Sequence, residues 1–142
     1  MQNIASKWSN MSPRILAIVR IIAALIFMTA GTMKLFGIPA MTGFSTVPLF
    51  SQMGLAGVLE TFGGLLLVLG LFARPVAFIL FIEMVIAYFQ VHAPQGFWPT
   101  LNMGQPAILY ALLWLYISST GAGAWSLDVW RKSRKQNSTT TL

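Results

Sequence analysis

Four hydrophobic stretches fill most of this 142-residue chain, and three of them carry an ionisable residue where hydrocarbon is expected. Arg20 lies in the first, Glu60 in the second and Glu83 in the third, with Lys34 near the end of the first. A charge at bilayer depth costs ~2.5–3.5 kcal/mol on insertion scales. Such side chains face a protein interior and find partners there. The pattern points to a small all-α integral membrane protein with a polar centre. Composition agrees, since only 8% of residues are charged, whereas soluble domains hold about 25%. No long polar segment is available to fold as a second, aqueous domain.

The net charge of +6 is not a nucleic-acid signal, because four of the nine basic residues are packed into Arg131, Lys132, Arg134 and Lys135. A basic cluster directly after the last hydrophobic stretch marks a cytoplasmic end, and it attracts anionic lipid headgroups. Cysteine is absent, so disulfides, thiol redox chemistry and thiolate metal sites are excluded within the chain. His92 is the single histidine, so one chain cannot supply two histidine axial ligands to a haem. No metal site is expected.

The spans are expected at about 14–36, 53–72, 75–91 and 104–121, each compatible with ~30 Å of hydrocarbon given some tilt. The first lacks a small-residue cleavage pattern and is read as a retained span. Turn residues Gly37, Pro39 and Gly43 follow the first span, and Pro94, Gly96 and Pro99 follow the third. Lys7, Arg14, Arg74 and the tail cluster all fall on one side of such a bundle. The positive-inside rule then places both termini in the cytoplasm, with 37–52 and 92–102 outside. The expected organisation is an amino-terminal segment 1–13, a membrane domain 14–128 and a basic tail 129–142. Its fold class is an antiparallel four-helix membrane bundle.

Helical phase brings the charges onto packing faces. Arg20, Ala23, Ala24, Phe27, Gly31 and Lys34 lie within about 60° of one line at 100° per residue. Glu60 shares its stripe with Gly57, Gly63 and Gly64, glycines that either permit close backbone approach or leave a hollow beside the carboxylate. Glu83 aligns with Ile79, Ala87 and Gln90, and Tyr110 with Trp114, Ile117 and Gly121. At 1.5 Å rise per residue, Arg20 and Glu83 lie about 9 and 12 Å inside one edge, and Glu60 and Lys34 about 10 and 3 Å inside the other. The expected pairs are Arg20 with Glu83 and Lys34 with Glu60. Two readings follow: buried ion pairs that fix helix register, or a polar cavity for a headgroup or proton path. Candidate pocket residues are Gly57, Gly63, Gly64, Gln90, Asn102, Gln105, Tyr110 and Trp114. His92, Trp98 and Trp125 are expected at membrane interfaces.

These residues resemble the DoxX family of small four-helix membrane proteins. The resemblance rests on Arg20…Ala30-Gly31…Lys34-Leu35, Glu60-x-x-Gly63-Gly64 and Gly70-Leu71-x-x-Arg74-Pro75. It continues through Phe97-Trp98, Asn102, Leu109-Tyr110 and Gly121-x-Gly123-x-x-Ser126-Leu127-Asp128. One departure is Gln105, a neutral amide where the family pattern commonly has a carboxylate. The resemblance implies a bacterial-type plasma (inner) membrane location and kinship with subunits of thiosulfate:quinone oxidoreductase. The expected role is a membrane subunit or accessory factor of an oxidoreductase system. Quinone, expected near Glu60, Lys34 and Arg20 with Glu60 or Glu83 exchanging its proton, is the candidate cofactor, and a soluble or membrane protein its redox partner. The rivals are a noncatalytic protein that binds or transports a small metabolite or lipid, and a structural scaffold. The residues themselves support only a polar pocket in a bundle, and no sequence feature fixes the oligomeric state.

Overall fold

The computed structural model describes residues 4–43 and 45–139. Residues 1–3 of the amino-terminal segment and 140–142 of the basic tail lie outside the described residues. Among the described residues every regular element is helical.

Helix α1 (Ile4–Phe36) starts ten residues before the expected span and carries Pro13 within it. A proline there cannot donate its backbone bond, but its carbonyl is used, accepting from Ala124 N at 2.9 Å. Ser51 begins the next rod, its hydroxyl accepting from Gly54 N at 3.0 Å. That rod is continuous over Gln52–Leu69. It comprises α2 (Gln52–Val58), a π-helical turn at Leu59–Gly63 and α3 (Gly64–Leu69). Gly70, at φ +65°, ends it. Gly70 N bonds Leu67 O at 3.1 Å and Leu71 N bonds Leu66 O at 2.9 Å, the paired bonds of a Schellman stop.

Helix α4 (Ala73–Ala87) runs on through a π turn at Tyr88–His92 and a short 3-10 turn at Ala93–Gln95. Helix α5 (Gln105–Thr120) returns beside it and ends at Gly121, φ +92°. Helix α6 (Leu127–Thr139) carries the basic cluster. Among the described residues, three rods are long and apolar enough to cross a membrane: Ser6–Phe36, Gln52–Leu69 and Ala73–Gln95. The fourth expected span is a helix of 16 residues, ~24 Å long and short of ~30 Å of hydrocarbon.

The four rods alternate in direction around one core. Phe27, Leu67, Leu80, Trp114 and Ile117 are buried there among Ala24, Ala73, Ala77 and Ala111. The Phe27 ring meets Trp114 edge-on at 5.4 Å and tilts against Tyr110 at 4.9 Å, joining α1 to α5. Lipid removes the hydrophobic drive for helices to associate, so van der Waals fit between small residues has to hold them. Gly31 shows how tight that fit is: a Cβ there would lie 2.6 Å from Thr61 N and 2.7 Å from Gly57 O.

Candidate functional site

The buried face of α1 is the expected one, with Arg20, Ala24, Phe27 and Gly31 all inside. The partner of Arg20 is not. Its side chain is 0% exposed and no bond joins it to Glu83. Instead Nε donates to Ala122 O at 2.8 Å, Nη2 to Trp125 O at 3.0 Å, and Nη1 to Val68 O at 2.9 Å and to Leu67 O. The expected Arg20–Glu83 pair is therefore corrected. The last carbonyls of a helix lack intrahelical donors, and they carry the negative end of its dipole. A guanidinium with five fixed N–H groups meets that need at the end of α3 and in the turn after α5.

Lys34 and Glu60 do meet. Lys34 Nζ lies 2.5 Å from both Glu60 carboxylate oxygens, with Glu60 buried at 3% exposure. Glu60 sits in the π turn of the second rod, a local widening that occurs at functional positions in many helices. The neighbouring glycines leave no hollow. A Cβ on Gly57 would touch Leu35 and Lys34, one on Gly63 would touch Leu80 at 3.0 Å, and one on Gly64 would strike Met28. Gly57, Gly63 and Gly64 are thus contact residues between helices, which corrects their reading as pocket lining.

The space lies on the other side of the second rod. An open groove of about 600 Å³ runs between that rod and α4, walled by Leu55, Leu59, Ile79, Ile82 and Ile86. Glu83, Ala87 and Gln90 line it on the α4 side, and Gln52 on the other. The side-chain amides of Gln52 and Gln90 hydrogen-bond across the groove. Both carboxyl oxygens of Glu83 are buried and without a hydrogen-bond partner. Glu83 is close enough to Glu60 and Lys34 to interact with both charges. The polar network expected from sequence therefore divides in three: a caged arginine, a closed ion pair and a carboxyl without a hydrogen-bond partner in a largely apolar groove.

The remaining sequence candidates stand apart from that groove. Asn102 is fully buried and organises its own turn, its amide donating to Gly96 O at 2.7 Å and its oxygen accepting from Gly104 N at 2.8 Å. His92 Nδ1 lies 2.9 Å from Asn102 O. Gln105 is exposed and donates to Thr100 Oγ1 at 3.1 Å. Tyr110 stacks on Trp114 at 5.5 Å, and the buried Trp114 Nε1 has no partner. These residues hold the turn before α5 and the core, and the structure does not bring them to Glu83.

The DoxX family model matches residues 15–93, more than half of the chain. The chain belongs to the DoxX family. An uncharacterized protein of Haemophilus influenzae is 46% identical over 120 residues, covering 82% of this chain and 90% of that protein. No solved structure matches the chain.

Within this DoxX protein, two segments of the sequence resemblance converge on Arg20. Gly70 belongs to one and Gly123 to the other. A Cβ on Gly70 would collide with Ser126, and one on Gly123 would lie 2.6 Å from Pro13 O. Asp128 N bonds Gly70 O at 3.0 Å, while Asp128 Oδ1 and Oδ2 accept from Phe72 N and Ala73 N at 2.9 Å each. The carboxylate thus caps the start of α4, and sequence reading assigned it no role. Its position as the first acid after a glycine-rich turn, with free helix N–H groups elsewhere to satisfy, is the signal that was present.

Proposed function

We propose that this DoxX protein is a membrane subunit or accessory factor of an oxidoreductase system that seats a quinone in the groove between its second rod and α4. The reading assumes a bacterial-type inner membrane with both termini cytoplasmic. One observation carries it: Glu83, with two buried and unpartnered carboxyl oxygens, lies in the wall of a largely apolar groove. Apolar walls with a few convergent polar groups suit a lipid-soluble molecule with a small polar head. Kinship with an oxidoreductase-associated family adds an associational argument for a redox carrier.

The chain's residues divide the work. Leu55, Leu59, Ile82 and Ile86 would flank the carrier's ring and tail, and their exposed apolar surfaces leave a route from the bilayer. Gln52 and Gln90 would offer amide hydrogen bonds at one end. Glu83 would exchange a proton with the bound head, and the nearby Lys34–Glu60 pair would set the field in which it does so. A quinone, when bound, supplies the two-electron, two-proton couple. The electrons come from a partner redox protein, since the chain's single histidine and lack of cysteine offer few ligands for a redox centre of its own.

The test is extraction of small molecules from protein purified in mild detergent, followed by mass spectrometry. Quinone is expected with the wild-type protein, less with Glu83→Gln, and none with Leu59→Trp, which fills the groove. An acyl lipid lost in the same two variants would favour the lipid-binding alternative. Equal quinone in all three folded proteins would remove the carrier from this groove.

A further inference from the structure

A second cavity, of about 530 Å³, opens at the other end of α4, between the start of that helix, the Gly121–Gly123 turn and α6. Arg74, Arg131, Lys132 and Lys135 line it, with Asp128 as the single acidic residue. Asp128 is committed: both its oxygens accept from the Phe72 and Ala73 amides. Residues 128, 131, 132 and 135 follow i, i+3, i+4, i+7 and so share one face of α6. Arg134 points elsewhere, its guanidinium lying 4.4 Å over the Trp130 ring.

Two of the cations are held in place by the protein itself. Arg74 Nη2 donates to Thr120 O at 3.3 Å, and its side chain passes so close to Gly121 that a Cβ there would lie 3.3 Å from Nε. The Arg131 guanidinium lies 5.1 Å over the Phe72 ring. Guanidinium groups fixed in this way match the oxygens of a phosphate through paired N–H bonds, and fixing them beforehand lowers the ordering cost of binding. The cavity also sits where the apolar rods α4 and α5 meet the polar tail. Trp125 and Trp130 are exposed beside it at 62% and 52%, the aromatic placement found at headgroup depth.

We infer that this cavity is a binding site for the phosphate of an anionic phospholipid headgroup. The site uses cations from two separate elements, α4 and α6, and so docks the tail helix against the bundle when it is filled. It is independent of the groove at Glu83, and either can be absent without the other.

The experiment measures phosphatidylglycerol binding to the full chain in a neutral detergent micelle by native mass spectrometry. A neutral micelle presents no charged surface, so distant cations contribute little and direct contacts dominate. Hydrogen bonds to charged groups are worth enough that Arg131→Gln/Lys132→Gln should weaken binding about tenfold or more. The control Lys7→Gln/Arg134→Gln removes the same charge away from the cavity and should leave binding within about twofold of wild type. Lys132→Gln alone, on an exposed position, should show an intermediate loss with unchanged helicity. Inorganic phosphate is the second probe. Lipid binding without phosphate binding assigns the site to the headgroup, and binding of both with the same variant dependence assigns it to phosphate groups in general. Binding of neither, or equal loss in both double variants, would overturn the site.

Discussion

Arg20 is wholly buried and donates to four backbone carbonyls, whereas Glu83, a residue of the groove wall, keeps two buried carboxyl oxygens without a hydrogen-bond partner. Both are ionisable groups within apolar helices, and both would draw the same suspicion from a hydropathy profile. The difference lies in where their hydrogen-bonding capacity goes. Arg20 directs four hydrogen bonds to backbone carbonyls inside the chain, fastening the ends of α3 and α5 to α1. The carboxyl of Glu83 makes none, and the residue lines an open groove. A charge in a membrane helix therefore points to function when its partners are missing, more than by its presence alone.

The comparison breaks first at Arg20. Arg20→Ala would remove the donor from the Ala122, Val68 and Trp125 carbonyls, while Leu67 O keeps its bond from Gly70 N; a buried carbonyl left unpaired costs ~1–3 kcal/mol, and folded protein should be lost from size-exclusion profiles. Arg20→Lys should recover a minority of the yield, because an ammonium cannot span the same fork of acceptors. A normal melt for Arg20→Ala would show that the cage fastens nothing.

Lys34→Ala should come next. It leaves Glu60 as an uncompensated buried charge, at ~3–5 kcal/mol, and Glu60→Gln added to it should restore part of the loss. The same double-mutant cycle between Arg20 and Glu83 should be additive. Coupling above ~1 kcal/mol there would mean that the two charges communicate after all.

Asp128→Ala should cost ~0.5–2 kcal/mol, the range for losing a helix-capping side chain. Hydrogen exchange should show the change at Phe72 and Ala73, with the groove unaffected. Uniform loss of protection across the bundle would instead make Asp128 part of the Arg20 fastening.

Glu83→Gln should produce the smallest effect on stability by thermal melt, since it breaks no hydrogen bond, while reducing carrier retention. This contrast sharpens the distinction from Arg20 most directly. A large fall in stability with retention unchanged would make Glu83 a second structural charge.

Several parts of this architecture were legible in the chain alone. Residues at three- and four-residue spacing placed Arg20, Ala24, Phe27 and Gly31 on one face because a helix has a fixed period. Rise per residue set Lys34 and Glu60 within reach of each other at the end away from the termini. Hydropathy established the membrane class, since burying so few charges is a property of composition. Only the tertiary structure decided what each polar group meets. The carbonyls that hold Arg20 belong to every residue type equally, so no side-chain pattern announces them. Whether Gly63 and Gly64 open a hollow or close a contact depends on where Leu80 and Met28 fall on the opposing helices. The groove at Glu83 exists because α4 buries Ala73, Ala77, Leu80 and Met84 and leaves the stripe of Ile79, Glu83, Ala87 and Gln90 beside it. Which of two adjacent stripes turns inward is settled by the packing of all four rods together, through contacts between residues far apart in the sequence.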